Sequence, residues 1–325
     1  MKEQLDATMQ KHVVGIDIGG TKLATVAADA SGNILSKVRR PTRADKGPEY
    51  AIQLLFEMVD KTIDQANLKQ EAISAIGVSC GGPLDTKTGI VYSPPNLPGW
   101  DAFPLKARLE SEFKIPAIIE NDANACALAE YRFGGGRGYN SVLYMTMSTG
   151  IGGGIVINGQ IYHGANDSAG EVGHQILLPD GPLCGCGKRG CLEALCSGPA
   201  IARRAKEAVQ KESNAAILAL TDGRIDVVKS EHVLAAARQG DALALKLVDE
   251  TAYYMGWGIA NLVNILNPDI VLLGTIAIAA GDLILEPIRK TVSNFAMARP
   301  AEVVQIMPAQ LGESLGDLAA VALVV

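Results

Sequence analysis

Three thiols and an imidazole crowd one short stretch: His174, Cys184, Cys186 and Cys191 lie within eighteen residues. Thiolates are soft donors that select zinc over magnesium or calcium. Four such ligands close a tetrahedral site and leave no open position for water. Gly185, Gly187 and Gly190 separate the cysteines and let the backbone turn tightly enough to aim several sulfurs at one point. The cluster therefore predicts a structural zinc, against the plainer alternative of reduced cysteines in a glycine-rich loop. Cys80, Cys126 and Cys196 are scattered among apolar neighbours and read as small buried hydrophobes, not as a disulfide framework.

Two glycine-rich turns offer a second kind of chemistry. Asp17–Lys22 reads DIGGTK after a β-rich run, so Gly19 and Gly20 can bring backbone N–H groups onto an anion. Thr21 adds a hydroxyl, Lys22 a positive charge, and Asp17 a carboxylate able to hold Mg2+ directly or through water. Ser148, Thr149, Gly150 and Gly152, in STGIGGG, make the other turn. Neither is a Walker A loop, and neither is a Rossmann fingerprint, because both run into strands. A lone Gly-Gly after a strand is commonly just a hairpin; two in one chain fit the phosphates of a nucleotide held in a cleft between two lobes.

Asp122 stands where a strand stops and a helix begins. The structural role for a carboxylate there is to cap the helix. The chemical role is to take the proton from a hydroxyl attacking a phosphate, as phosphoryl transfer requires. Glu171 and Glu193 flank the metal cluster, which would steer them towards the same space; otherwise they are solvated surface carboxylates.

The elements that must position these groups alternate in kind. Val13–Ile18, Leu23–Ala28 and Ile34–Arg40 read as an antiparallel meander, Glu49–Gln65 as a helix and Ala75–Ser79 as a buried strand ending in CGGP. SPPNLPGW must be an ordered loop, because its prolines forbid a regular element. Ile115–Ile119 is the next strand and Ala123–Arg132 the next helix. Ser141–Met147 and Gly154–Ile157 repeat the strand–glycine turn–strand rhythm, closed by the hairpin pair Asn158-Gly159. Beyond Ala200 the pattern is mainly helical to Asn267, with a strand over Asp269–Gly274 and a last helix over Ser314–Val325. The repeat suggests two similar α/β lobes. The expected division is a small domain over residues 1–121, with residues 311–325 packing back on it, and a large domain over 122–310 carrying the zinc loop.

The 325 residues are 48% hydrophobic and 20% charged, with a net charge of −6, so the chain is globular and has no basic face for nucleic acid. The start, MKEQLDATMQKH, is polar and lacks the apolar core of a signal peptide, and no apolar run is long enough to span a bilayer. A cytoplasmic location, away from membranes, is expected.

DIGGTK, IENDANACALAE, STGIGGG, GEVGH and CGCGKRGCLE, in this order from about Val13 onward, closely resemble the ROK family of sugar kinases and repressors. The resemblance implies an α/β, two-domain actin-like (ribonuclease H-like) fold that closes on ATP and a sugar. It implies Asp122 as catalytic base and Asn121, Glu171, His174 and Glu193 as ligands of sugar hydroxyls. Gly81, Gly82 and Asn96 would line the other side of the sugar, and Gly274 would lie near the adenosine. His174 would bind zinc with one ring nitrogen and a sugar hydroxyl with the other. One departure stands out: where many members carry a glycine-rich turn after the strand at Val271–Leu273, this chain has Gly274-Thr275-Ile276.

The resemblance leans towards phosphorylation of glucose at its 6-hydroxyl. N-acetylmannosamine and N-acetylglucosamine are the alternatives, and fructose and mannose stay open. The family's repressors place a helix-turn-helix domain before the first glycine turn; only sixteen residues precede Asp17 here, so a DNA-binding role is not expected. A sugar-sensing regulator without that domain is the reading from another class. The family also implies a homo-oligomer, dimer or tetramer.

Overall fold

The computed structural model describes residues 12–212 and 215–325. The polar stretch ahead of His12 lies outside them. The chain forms two compact units. The first takes the described residues up to Arg137, together with Gly159–Ala169 and Glu313–Val325; the second takes Gly138–Asn158 and Gly170–Gly312. The first unit thus runs past Asn121 through the following helix, and takes back a short excursion as well as the C-terminal helix.

The first unit is built on five strands: β1 (His12–Ile18), β2 (Lys22–Asp29), β3 (Ile34–Pro41), β4 (Ile73–Cys80) and β5 (Ala117–Asn121), in the order β3-β2-β1-β4-β5. β1 is antiparallel to β2 and parallel to β4, and β4 is parallel to β5. Helix α1 (Gly47–Gln65) buries Ile52, Leu55, Val59 and Ile63, an i, i+3, i+4 stripe, in the same apolar cluster as Ile16 and Ile76. The C-terminal helix, Leu315–Ala322, packs on the sheet at Gly77, where any Cβ would overlap the Ala320 carbonyl. Its Asp317 pairs with Lys37 of β3.

β5 begins two residues later than its apolar run suggests. Pro116 has no N–H to give the ladder, although its carbonyl still accepts from Ile76 at 2.9 Å. Helix α2 (Leu105–Phe113) was not legible in the sequence pattern: only Leu105, Leu109 and Phe113 mark its buried side. Helix α3 (Asp122–Phe133) follows β5 without a loop.

In the second unit, β6 (Ser141–Met145) pairs antiparallel with β7 (Gly153–Ile157) and parallel with β8 (Ile270–Leu273), which is parallel to β9 (Gln305–Pro308). The sequence of antiparallel hairpin followed by parallel strands is the same as in the first unit. Short helix α4 (Leu192–Cys196) and helices α5 (Gly198–Glu212), α6 (Ser230–Arg238), α7 (Ala242–Leu266) and α8 (Asp282–Phe295) complete a separate core that includes Leu143, Met255, Ile259 and Ile288. α8 and β9 are additions to the sequence reading. β9 spans four residues and ends in proline, too short a run to carry a period. Among the described residues no helix is long and apolar enough to cross a membrane.

Candidate active site

In the first unit the glycine turn between β1 and β2 is tightly closed. The Gly19 N–H donates to the Lys22 carbonyl at 3.0 Å, and the Thr42 hydroxyl donates to the Gly19 carbonyl at 2.5 Å. Of the two glycine N–H groups offered to an anion, that of Gly19 is therefore already used. Gly20 lies against the proline-rich loop: a Cβ there would sit 2.7 Å from the Asn96 Cβ, so Asn96 and the turn share one surface. Thr21 and Lys22 are exposed.

Asp17, at the end of β1, lies 3.9 Å from the Lys22 ammonium. A Cβ on Gly316, in the first turn of the C-terminal helix, would lie 3.2 Å from its Oδ2. Burial raises the Asp17 pKa to about 6; Lys22 opposes that rise, while Asp122 and Asp317 add to it. A carboxyl held in this way gains from a cation that neutralises it.

Asp122 is the first residue of α3, and the cap is its neighbour. The Asn121 side-chain oxygen accepts from the Ala123 N–H at 2.9 Å and the Asn124 N–H at 3.4 Å. The Asn121 Nδ2 stays available as a donor and lies over Gly82, 3.1 Å from where a Cβ would stand. The Asp122 Oδ1 accepts from the Ala123 N–H at 2.8 Å. Its side chain is reachable by solvent, yet protein surrounds it closely enough that desolvation raises its pKa. That direction is informative, because N–H donors at a helix start pull a carboxylate the other way. Here burial wins. Gly81 and Gly82 follow the end of β4, next to β5 through the Cys80–Asn121 register, and the Gly82–Pro83 bond is cis.

In the second unit the four metal-type residues converge. One donor atom from each of His174, Cys184, Cys186 and Cys191 lies within 4.8 Å of all the others. The His174 Nδ1 is 3.7 Å from the Cys184 Sγ, and the Cys186 and Cys191 sulfurs are 3.7 Å apart. Tetrahedral ligands bonded at about 2.3 Å stand about 3.8 Å from one another, so the donor set fits zinc in type, number and spacing. Gly187 and Gly190, at φ 85° and 70°, supply the left-handed turns that bring Cys191 back to the others. The other ring nitrogen, Nε2, lies 3.7 Å from Glu171, whose carboxylate is exposed.

Glu193 is more engaged than a surface carboxylate. It lies in the first turn of α4, its Oε2 accepts from the Ile151 N–H at 3.0 Å, and its Oε1 lies 3.5 Å from the Cys184 sulfur. It thus ties the cysteine loop to the second glycine turn. That turn is held by Ser148 N–H to the Gly150 carbonyl at 2.9 Å and Thr146 N–H to the Gly152 carbonyl at 3.0 Å.

Beside Ser148 and Thr149 opens a cavity of about 290 Å³, also lined by Gly198, Pro199, Lys229, Ser230 and Ile276. None of Gly198, Pro199, Lys229 and Ser230 was singled out by sequence, because nothing in their spacing marks them. The Gly198 N–H donates to the Ser148 carbonyl at 2.8 Å, and the Ile276 N–H to the Met147 carbonyl at 2.9 Å. Gly274 lies one residue beyond β8, where a Cβ would come within 2.6 Å of the Tyr144 hydroxyl. Next to it Thr275 adopts φ 53°, ψ −102°, a conformation foreign to a β-branched residue. Its hydroxyl is 3.2 Å from that of Thr146.

The chain as a whole is similar to known proteins. The ROK family model matches residues 13–325. The glucokinase of Halalkalibacterium halodurans is 40% identical over 93% of this chain and 92% of its own length. The ROK hexokinase from Thermus thermophilus superposes with a TM-score of 0.82 at 37% identity, covering 96% of this chain and 97% of that one. A ROK family glucokinase from Streptomyces griseus, solved in complex with glucose and AMPPNP, superposes with a TM-score of 0.80 at 36% identity, covering 96% and 98% of the two chains.

Proposed function

The chain belongs to the ROK family, and from that premise we propose that it transfers the γ-phosphoryl group of ATP to the 6-hydroxyl of glucose. Its fold is the two-domain actin-like α/β fold of the ROK sugar kinases. The observation that carries the chemistry is Asp122: a carboxyl at the first position of a helix, open to solvent, with a pKa that burial raises.

In the proposed reaction Asp122 accepts the proton of the attacking 6-hydroxyl. A base needs a pKa lifted towards the working pH to do this efficiently, and its desolvation supplies the lift. Asn121 donates from Nδ2 to a sugar hydroxyl while its oxygen is kept by the helix cap. Gly81, Gly82 and Asn96 line the sugar on the first unit, and Glu171, His174 and Glu193 bind its hydroxyls on the second. Asp17 holds Mg2+, which when bound spreads the charge of the β- and γ-phosphates. Thr21 and Lys22, with Ser148, Thr149, Gly150 and Gly152, contact the phosphates. The cavity beside Ser148, with Pro199, Lys229 and Ile276 in its wall, takes the nucleoside, and Gly274 closes near it.

His174, Cys184, Cys186 and Cys191 hold a structural zinc, which when bound fixes the loop and the ring plane of His174. With Nδ1 on the metal side, Nε2 is left to meet a sugar hydroxyl beside Glu171.

The test is ADP release measured with glucose, mannose, fructose, N-acetylmannosamine and N-acetylglucosamine. Glucose should give the highest kcat/KM. A preference for an N-acetylhexosamine would reassign the sugar, and no ADP release with any of them would remove the kinase reading.

A further inference from the structure

Directly before the residues assigned to the sugar and the proton stands an ionisable side chain with no assigned task. Glu120 is only 3% exposed. Its Oε2 lies 2.7 Å from the Nε2 of His163. Its Oε1 accepts from the backbone N–H of Asn121 at 2.8 Å and from the Nδ2 of Asn124 at 3.0 Å. His163 comes from Gly159–Ala169, the excursion that rejoins the first unit. Asp167 of the same excursion accepts from the Thr86 N–H at 3.1 Å and the Thr86 hydroxyl at 3.0 Å.

We propose that Glu120 and His163 are a positioning pair that fixes the corner between β5 and α3, and with it the directions of the Asn121 amide and the Asp122 carboxyl. The proposal rests on the kinase reading of Asp122. Asn121 is still extended, at φ −61° and ψ 140°, and the chain is helical from Asp122, within one residue. Such a corner has soft dihedrals just where the reacting carboxyl is attached. One oxygen of Glu120 spans it, bonded to Asn121 on the strand side and to Asn124 in the first helical turn. The Asn124 Oδ1 is buried without a partner, so its amide is turned to serve Glu120 at the expense of its own acceptor.

Stability alone does not account for this arrangement. Burying a carboxylate costs several kcal/mol, which a well-packed apolar residue of similar volume would avoid. What the ion adds is direction, through three hydrogen bonds that a leucine could not make. His163 is essential to it, because its ring nitrogen meets the second carboxylate oxygen and holds it in place. The charged groups facing His163 are Glu120 and Asp167, and the hydrogen bond to Glu120 is the main reason its pKa is raised.

The experiment compares His163→Ala with His163→Gln, whose side-chain amide can donate to the same oxygen. In His163→Ala, kcat for glucose should fall at least about tenfold while KM for glucose and ATP stays within about threefold; His163→Gln should recover most of that loss. Unchanged kcat in His163→Ala, or equal impairment of both variants, overturns the proposal. The backbone amide resonances of Asn121 and Asp122 are followed in the same proteins and need no turnover. Displacement in the Ala variant and not in the Gln variant supports the pair, and no displacement in either overturns it. Wild-type protein inactive on every sugar would instead sink the kinase reading, leaving the resonances to decide this one.

Discussion

The two glycine turns look alike in sequence and are held in opposite ways. The turn at Gly19–Lys22 is flanked by charge: Asp17 and Lys22 stand 3.9 Å apart, and Asp122 and Asp317 both act on Asp17. The turn at Ser148–Gly154 has no ionised residue of its own. It is braced from outside by Glu193, which also touches the cysteine loop. In the first unit Asp17 and Asp122 are under-compensated and lifted in pKa, an arrangement that costs stability and suits groups waiting for a cation or a proton. In the second unit hydrogen bonds brace the backbone beside the clustered cysteines and histidine. Reactivity and rigidity are thus assigned to different units.

The largest test of that contrast is Asp122→Asn. It should cut kcat by roughly two to four orders of magnitude, since a general base is lost, while calorimetry still detects sugar binding. Turnover close to that of the wild type would remove Asp122 from its role. In the wild type the acid limb of kcat/KM should lie above the ordinary aspartate range, because both Asp17, at about 6, and the raised Asp122 must lose their protons first.

Asp17→Asn should move activity and stability in opposite directions. The folded-state pKa of Asp17 is about 6 against 3.8 for the free side chain, so between those pH values the folded chain binds more protons than the unfolded one. Its contribution therefore falls as pH rises from about 4 to about 6, and at pH 7 the ionised carboxylate is a net cost. Urea unfolding of the metal-free Asn variant at pH 7 should show a gain of roughly 3 kcal/mol, with the difference shrinking towards pH 4. A loss of stability at pH 7 would mean that the Lys22 contact outweighs burial.

Cys184→Ala addresses the second unit. Metal analysis should find about one zinc per chain in the wild type and little in the variant, whose Tm should fall by several degrees. Sugar affinity should weaken with it, because His174 loses its fixed ring plane. Wild-type protein free of zinc would falsify the metal assignment.

The smallest effect is expected at Gly150, where an alanine Cβ would stand 2.5 Å from the Glu193 Oε2. The tip of Glu193 can move, so Gly150→Ala should fold normally and lose the Ile151 tie. KM for ATP should rise a few-fold with little change in Tm. A large Tm drop instead would show that the tie serves folding more than binding.

Much of this is legible in the amino-acid sequence. Thiols and an imidazole at such spacing have few other uses, and the strands around both turns follow from runs of β-branched residues bounded by glycine. Asp122 was legible as an ion at a strand–helix boundary, but which residue caps the helix was not. The two neighbours, Asn121 and Asp122, are both good caps, and only the backbone turn at Asn121 decides between them. Glu193 was legible as a carboxylate near the cysteines, and its bond to Ile151, forty-two residues away, was not.

By itself, then, the sequence determined donor chemistry and local conformation, because both depend on residue type over a few neighbouring positions. Tertiary structure decided which charges are left partly uncompensated and which side chains become partners. Those outcomes depend on solvent exclusion and on contacts such as His163 with Glu120, across forty-three residues of chain. A carboxyl group acquires its pKa from what surrounds it in space, and no local pattern records that.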